Sequence, residues 1–307
     1  MSEITGDATP HMRPAFGSGP LLVLGAALCW GTTGTLQALA PAGASSLSVG
    51  AVRLLVGGLA LLFFAAARGL LRDVRALPLA ATLLAAVAVA AYQLCFFAGV
   101  RIAGVAAGTL VAIGSAPIFA GVLGILVLRE RPGTRWAIAT LLAIGGCTLL
   151  VAGGNGSSIN RPEPLGVLLA LGAGASYAIY TLLTKRIVAE VAPDLAAAAV
   201  FSLGALLLSP LLFVSDMRWL ATPRGAGVAL ALGLVATAIA YRLYTRALRT
   251  VPASTAVTLA LAEPLAAGLL GVFVLGERLS TAGWLGGLLI VAALLLLTIQ
   301  RAPQRPH

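Results

Sequence analysis

The chain contains 307 residues, of which 60% are hydrophobic and only 10% are charged, and its formal net charge is +10. Soluble domains carry about 25% charged residues, so this composition excludes a soluble globular protein and indicates that lipid is the main solvent. The basic residues are scattered through short loops, which argues against a nucleic-acid partner, and both histidines lie in the tails, so we expect no metal site and no cofactor.

Apolar runs of about 20 residues, the length that spans roughly 30 Å of hydrocarbon as a helix, recur along the whole chain. The sequence therefore predicts an all-α, polytopic membrane protein with ten transmembrane helices, which we label α1 to α10 in chain order. The predicted ranges are 20–40, 46–68, 77–99, 104–128, 134–152, 165–184, 194–214, 225–248, 253–275 and 281–300.

Lysine and arginine residues indicate the orientation of the helices, because cytoplasmic loops carry an excess of both. Most of the 20 basic residues fall on the cytoplasmic side if both termini are placed there. The sequence therefore predicts that both termini are cytoplasmic. A composition rich in alanine, leucine, glycine and arginine favours a bacterial plasma membrane.

One segment occurs twice: residues 117–131 recur at 264–278 with 9 of 15 positions identical. Each copy belongs to a unit of five helices, and because five is odd the second unit must enter the membrane from the opposite side. Many secondary transporters are built from such inverted repeats, with the substrate site near the midplane between the halves. The predicted domains are a disordered cytoplasmic tail at 1–19, a first repeat at 20–152, a linker at 153–164, a second repeat at 165–300 and a cytoplasmic tail at 301–307.

Three motifs resemble a known family. They are "ALCWGTTGTL" in α1, "VRLLVGGLALL" in α2, and the paired "P-x-x-A-G-x-L-G-x-x-V-L-x-E-R" segments of α4 and α9. In these motifs the chain resembles the EamA-type branch of the drug/metabolite transporter superfamily, from Leu21 to Gln300. The resemblance implies a ten-helix carrier of small metabolites, often an exporter of amino acids or related compounds, and not an enzyme.

Glu263 is the acidic residue that the sequence places deepest in a helix, about 15 Å from the start of α9 at 1.5 Å per residue. A carboxylate in hydrocarbon costs several kcal/mol unless it is protonated or paired, so we expect a functional role, namely substrate binding or proton coupling. The alternative is a protonated packing residue that satisfies the carbonyl oxygen freed by Pro264. The first repeat has Ala116 at the matching position.

Other basic and acidic residues lie nearer the ends of the helices. Arg53 either extends outward to the membrane surface or points inward toward Glu263 or an anionic group of the substrate. We interpret Arg242 and Arg246 as surface-directed residues that set topology. The sequence predicts local ion pairs in Glu130-Arg131 and Glu277-Arg278 at the ends of the doubled segments, and it places no aspartate within a membrane-spanning segment.

Polar and aromatic residues concentrate on α1, α3, α6, α8 and α9, which we therefore expect to line a central cavity. An aromatic belt at the membrane surface is the alternative for the tyrosines. Since α5 and α10 carry few polar residues, they are predicted to face lipid or to form a homodimer. The candidate substrate-binding or coupling residues are Glu263, Arg53, Trp30, Tyr92, Gln93, Tyr177, Tyr180, Tyr241 and Thr258, and the candidate gating or kink residues are Pro117 and Pro264.

The sequence thus predicts a secondary transporter that exports a small metabolite such as an amino acid by alternating access, with proton coupling through Glu263. A passive channel or facilitator is the main alternative. An intramembrane enzyme would need a nucleophile paired with a base, and Glu263 stands alone. No G-x-x-x-x-G-K-[ST] motif is present for direct use of ATP, so we expect the partners to be a small-molecule substrate and the lipid bilayer.

Overall fold

The computed structural model of the chain describes residues 18–153 and 163–299. Within these ranges, ten helices are long and apolar enough to cross a membrane, which confirms the predicted all-α fold. They are α1 Ser18–Ala38, α2 Ser46–Ala67, α3 Leu79–Ala103, α4 Val105–Leu128, α5 Thr134–Ala152, α6 Pro164–Glu190, α7 Pro193–Val214, α8 Pro223–Ala247, α9 Ala253–Leu275 and α10 Thr281–Thr298. Almost all of the two predicted tails and most of the predicted linker lie outside the described residues.

The main difference in length concerns α6, which continues to Glu190, whereas the prediction ended it at residue 184. The prediction stopped at the charge of Lys185. In the structure, the ammonium group of Lys185 donates hydrogen bonds to the carbonyl oxygens of Leu248 at 3.0 Å and Val251 at 2.7 Å. Because protein groups satisfy the charge, the helix continues past it.

The proline of α9 interrupts the helix, which consists of two segments, Ala253–Leu259 and Ala262–Leu275. Pro264 has no N–H group and cannot bond to the carbonyl oxygen of Ala260, four residues earlier. That oxygen accepts a hydrogen bond from the backbone N–H of Glu263 at 2.9 Å instead. The backbone N–H of Glu263, and not its side chain as the alternative interpretation proposed, therefore satisfies the carbonyl group of Ala260.

Contacts between helices follow a pseudo-two-fold relation in which each helix of the first repeat corresponds to the helix five places later. The extensive contact of α3 with α6 is matched by that of α8 with α1, and the contact of α4 with α6 is matched by that of α9 with α1. The pairs α2–α7 and α5–α10 each join a helix to its own counterpart. This is the packing that two inverted five-helix repeats require.

At the α5–α10 crossing, the two backbones touch. A Cβ atom added to Gly146 would lie 2.6 Å from the carbonyl oxygen of Gly286 and 3.0 Å from the backbone nitrogen of Ile290. Small residues allow such an approach between membrane helices. Since α5 and α10 pair within one chain, a homodimer would have to use their outer faces, and it stays a prediction.

We expect Gly146→Ala to lower the stability of the protein by about 1–3 kcal/mol, because the added methyl group overlaps backbone atoms that cannot rotate away. The neighbouring Gly145→Ala is the matched control, since a Cβ atom at Gly145 meets nothing within 4 Å. Thermal unfolding in detergent measures both variants. Equal melting temperatures for the two variants would contradict the α5–α10 contact.

Candidate functional site

A cavity of about 650 Å³ opens at one end of the helix bundle. Its rim includes the exposed residues Ser46, Val105 and Glu277, which lie where α2 and α4 begin and beyond the end of α9. We call this end of the bundle the entrance face and the opposite end, where α2, α4 and α8 finish, the closed face. The predicted residues Glu263, Arg53, Trp30, Tyr92, Gln93, Tyr177, Tyr241 and Pro264 all line this cavity.

Aromatic side chains from three helices form the floor of the cavity. The Trp30 ring of α1 lies 5.0 Å from Tyr241 and 5.2 Å from Tyr244, both on α8, and 6.4 Å from Tyr177 on α6, measured between ring centroids. Offset and edge-to-face arrangements of this kind add about 0.5–1.5 kcal/mol per pair to the burial of the rings. The floor therefore holds α1, α6 and α8 together in the middle of the bundle.

Arg53 points inward rather than toward the membrane surface. Its Nε donates a hydrogen bond to the Thr237 hydroxyl at 3.1 Å, and this hydroxyl donates in turn to the carbonyl oxygen of Leu232 at 3.0 Å. The second bond spans five residues because α8 contains a π-helical turn, Leu234–Ile239. Such turns are frequent at functional sites. The irregular turn thus positions the Arg53 guanidinium group at the cavity, a role of Thr237 that the sequence does not reveal.

Glu263 lies on the cavity wall beside the break in α9 and not against acyl chains. Among the residues that the structure describes, its carboxyl group has no ion-pair partner within 4.0 Å. Arg53 is the cation whose charge acts on it across the cavity. Within the same ranges no three histidine, cysteine, aspartate or glutamate residues come together as metal ligands. The cavity therefore presents one carboxyl group and one guanidinium group to a bound molecule.

Several buried polar groups of the cavity wall have no hydrogen-bond partner among the residues that the structure describes. They include the indole N–H of Trp30 and the amide NH2 of Gln93, in residues that are only 4% and 5% exposed, and the hydroxyl groups of Thr33 and Tyr177. A buried polar group without a partner costs about 1–3 kcal/mol. All four residues line the cavity, so a molecule that carries acceptor atoms would satisfy their donors there.

Three predicted residues lie outside this cavity. Tyr180 lines a small adjoining pocket together with Arg53. Thr258 is fully buried against α5, where its hydroxyl accepts a hydrogen bond from the Trp136 indole N–H at 3.1 Å. Pro117 lies inside an uninterrupted α4, so the break seen in α9 has no counterpart in the first repeat.

Glu130 makes a contact that the sequence did not predict. No ion pair with Arg131 forms between these described residues. The carboxylate instead accepts hydrogen bonds from the backbone N–H groups of Ala253 at 2.7 Å and Ser254 at 3.2 Å, and from the Ser254 hydroxyl at 2.9 Å. These N–H groups begin α9 and have no partner within the helix. A residue of the first repeat thus caps a helix of the second at the closed face.

Asp194 bears on two predictions, that no aspartate lies within a membrane-spanning segment and that Arg242 and Arg246 are directed to the surface. It lies 6% exposed in the first turn of α7, inside a predicted span. Its carboxylate is 3.1 Å from Nε of Arg242 and 2.8 Å from a terminal nitrogen of Arg246, and the Arg242 guanidinium also stacks 3.3 Å above the Phe64 ring. Both arginines are therefore ion-paired to α7, although their side chains stay partly exposed, because an acid in the first turn of a helix offers them a partner.

Comparison with known proteins identifies the family. A family model described as the EamA-like transporter family matches residues 17–152 and again residues 164–299, which together make up most of the chain. The chain belongs to the EamA-like transporter family. It is a multi-pass membrane transporter, and the inferred drug/metabolite transporter resemblance is confirmed.

Individual relatives agree with this assignment. The uncharacterized transporter YwfM of Bacillus subtilis is 51% identical over 289 residues, which cover 93% of this chain and 94% of YwfM. The threonine/homoserine exporter RhtA of Salmonella typhimurium is 34% identical over 193 residues, which cover 61% of this chain and 62% of RhtA. A solved crystal structure superposes with a TM-score of 0.79 at 21% identity, covering 91% of this chain and 96% of that one, and shows the shared fold.

We expect Asp194→Asn to lower the free energy of unfolding by about 1–3 kcal/mol, since it removes the anion from Arg242 and Arg246 and from the more distant Arg68, at 4.0 Å. This is less than the 3–5 kcal/mol of fully buried pairs, because Arg246 is partly exposed. Asp216→Asn is the control, as the Asp216 side chain is exposed and, within the part of the chain that the structure describes, accepts a hydrogen bond from the backbone N–H of Arg218 alone. Thermal unfolding in detergent that affected both variants equally would contradict the role of Asp194.

Proposed function

We propose that the chain is a secondary transporter that exports amino acids or closely related zwitterions across a bacterial plasma membrane by alternating access, in exchange for protons. The observation that carries this proposal is that Glu263 and Arg53 line the same cavity but form no ion pair with each other. A zwitterion carries the two complementary charges. The relative RhtA, a threonine/homoserine exporter, supports the same substrate class.

The wall of the cavity supports a specific pose. The substrate carboxylate binds Arg53, since a guanidinium group donates two parallel hydrogen bonds to a carboxylate. The substrate ammonium group binds Glu263. The remaining surface, which includes Trp30, Tyr92 and Phe96, is aromatic and receives the side chain of the substrate. Gln93 then supplies an amide donor for a polar side chain or for the second carboxylate oxygen.

Competition for Glu263 explains how export would be driven. A protonated Glu263 cannot pair with the substrate ammonium group, whereas an ionised Glu263 can. If a proton from outside binds Glu263, the substrate loses its ion pair and leaves, and the proton travels inward on the empty carrier. One proton therefore enters for each substrate released, and the proton gradient drives export. Among the described residues, Arg53, Tyr92, Tyr241 and Cys147 are titratable groups close enough to Glu263 for electrostatic coupling.

The direction of transport rests on orientation. The distribution of lysine and arginine among the loops favours cytoplasmic termini. With the termini in the cytoplasm, the entrance face lies on the outer side of the membrane. The cavity described above would be the state from which an exported substrate leaves. A passive channel is less well supported, because the aromatic floor and the Glu130 and Asp194 contacts close the other end.

Glu263→Gln tests the coupling. In liposomes that contain the purified protein, we expect an inward proton gradient to accelerate threonine export by the wild-type chain and to have no effect on export by the variant, because an amide does not exchange a proton. Glu190→Gln is the control, since Glu190 is exposed at the end of α6. A variant that still responds to the gradient would rule out coupling through Glu263. Saturation and counterflow distinguish a carrier from a channel.

Arg53→Gln tests the substrate pose. Loss of a charged hydrogen-bonding pair weakens binding by about 1.5–3 kcal/mol, so we expect the KM for threonine to rise roughly 10- to 100-fold. Arg101→Gln, at an exposed position of α3, should leave KM unchanged. The matching ligand experiment uses threonine amide, which lacks the carboxylate. Equal KM values for threonine in Arg53→Gln and the wild type would contradict the assignment.

A further inference from the structure

The ends of α4 and α9 have the same local structure in both repeats. Each helix ends in a residue with left-handed backbone, Arg129 with φ 55° and Gly276 with φ 71°, and a glutamate follows. The backbone N–H of this glutamate bonds to the carbonyl oxygen six residues earlier, at 2.9 Å for Glu130 and 3.0 Å for Glu277. The duplicated sequence thus presents an equivalent carboxylate at each face of the membrane.

The two carboxylates differ in their partners. Glu130 caps the first residues of α9 and so joins the two repeats at the closed face. Glu277 is exposed at the rim of the cavity, and its carboxylate makes no hydrogen bond or ion pair with any residue that the structure describes. Its symmetry-related target, the start of α4, also lies at the rim, where Val105 is 73% exposed and no side chain caps the helix.

We propose that Glu130 and Glu277 act as alternating gate residues. Glu130 caps α9 in the state with an open entrance face. Glu277 caps α4 in the opposite state, in which the entrance face is closed and the other end of the bundle is open. The proposal rests on alternating access, which is part of the proposed function. The pseudo-two-fold axis exchanges the two repeats and so turns one contact into the other. Because one N-terminus is released as the other is capped, the backbone groups keep a similar number of partners throughout the cycle.

One side chain makes the two contacts unequal. Ser254, the second residue of α9, adds its hydroxyl group to the cap of Glu130 at 2.9 Å. The second residue of α4 is Ala106, which has no hydroxyl group. The closed-face contact therefore has three hydrogen bonds, and the entrance-face contact would have two. This difference favours the state with the open entrance, which is the state of the present structure.

The test measures both gates in the full chain, in nanodiscs and without substrate, by electron paramagnetic resonance distances. The three native cysteines are replaced by alanine. One pair of spin labels, at Arg101 and Thr281, spans the entrance face. The equivalent pair, at Thr250 and Thr134, spans the closed face. A closed entrance shortens the first distance and lengthens the second.

We expect Ser254→Ala and Ala106→Ser each to raise the entrance-closed population at least threefold, the first by weakening the Glu130 cap and the second by strengthening the Glu277 cap. Glu277→Gln should lower that population, and Ser209→Ala, a serine remote from both gates, should leave it unchanged. Ser254→Ala and Ala106→Ser each remove or add a single hydroxyl group in the first turn of a helix, so we expect both variants to fold.

Unchanged distances in both Ser254→Ala and Ala106→Ser, or a larger entrance-closed population in Glu277→Gln, would overturn the proposal. The outcome is separable from that of the proposed function. If threonine counterflow persists while the gate variants leave the distances unchanged, the carrier stands and the alternating caps fall. If the distances shift as expected and threonine is not transported, the caps stand and the substrate assignment falls.

Discussion

The cost of leaving a charged or polar group alone in hydrocarbon governs the organisation of this protein. Lys185 is satisfied by the carbonyl oxygens at the end of α8, Asp194 by two arginines, and Arg53 by the hydroxyl group of Thr237. Each of these contacts joins one helix to another helix or to its end. Glu263 differs from these groups, because it faces an open cavity and has no ion-pair partner among the described residues. The proposed function assigns to this acid the binding of substrate and the exchange of a proton.

Duplication supplies a framework in which a single chain has two similar ends. The exchange of α3–α6 with α8–α1 contacts shows that the two repeats pack alike around a common axis. The differences between the copies lie at particular residues: a carboxyl group at Glu263 against the methyl group of Ala116, and a break in α9 against an uninterrupted α4. The proposed function places the chemistry of transport at these positions, where the two repeats differ.

The ten helices could be predicted from the sequence because the thickness of the lipid bilayer sets the length of a membrane span. A membrane span needs about 20 apolar residues, so the ten helices were predicted within a few residues of their observed positions at most ends. The largest error, at α6, arose where the prediction stopped the helix at Lys185. The cavity residues Trp30, Tyr92 and Tyr241 were predicted from the helices that carry polar groups, whereas Thr258 was misplaced because its partner Trp136 belongs to another helix.

The sequence by itself determined the class of protein, the number of helices, the inverted repeat and the depth of Glu263, because each depends on local composition or on counting residues along a helix. Only the tertiary structure decided which charges are paired, where Arg53 points and which of Glu130 and Glu277 caps a helix. Glu130 and Glu277 lie at the same position of the duplicated segment, yet only the Glu130 carboxylate makes hydrogen bonds to residues that the structure describes. That difference arises from the position of one repeat against the other, which no local pattern encodes.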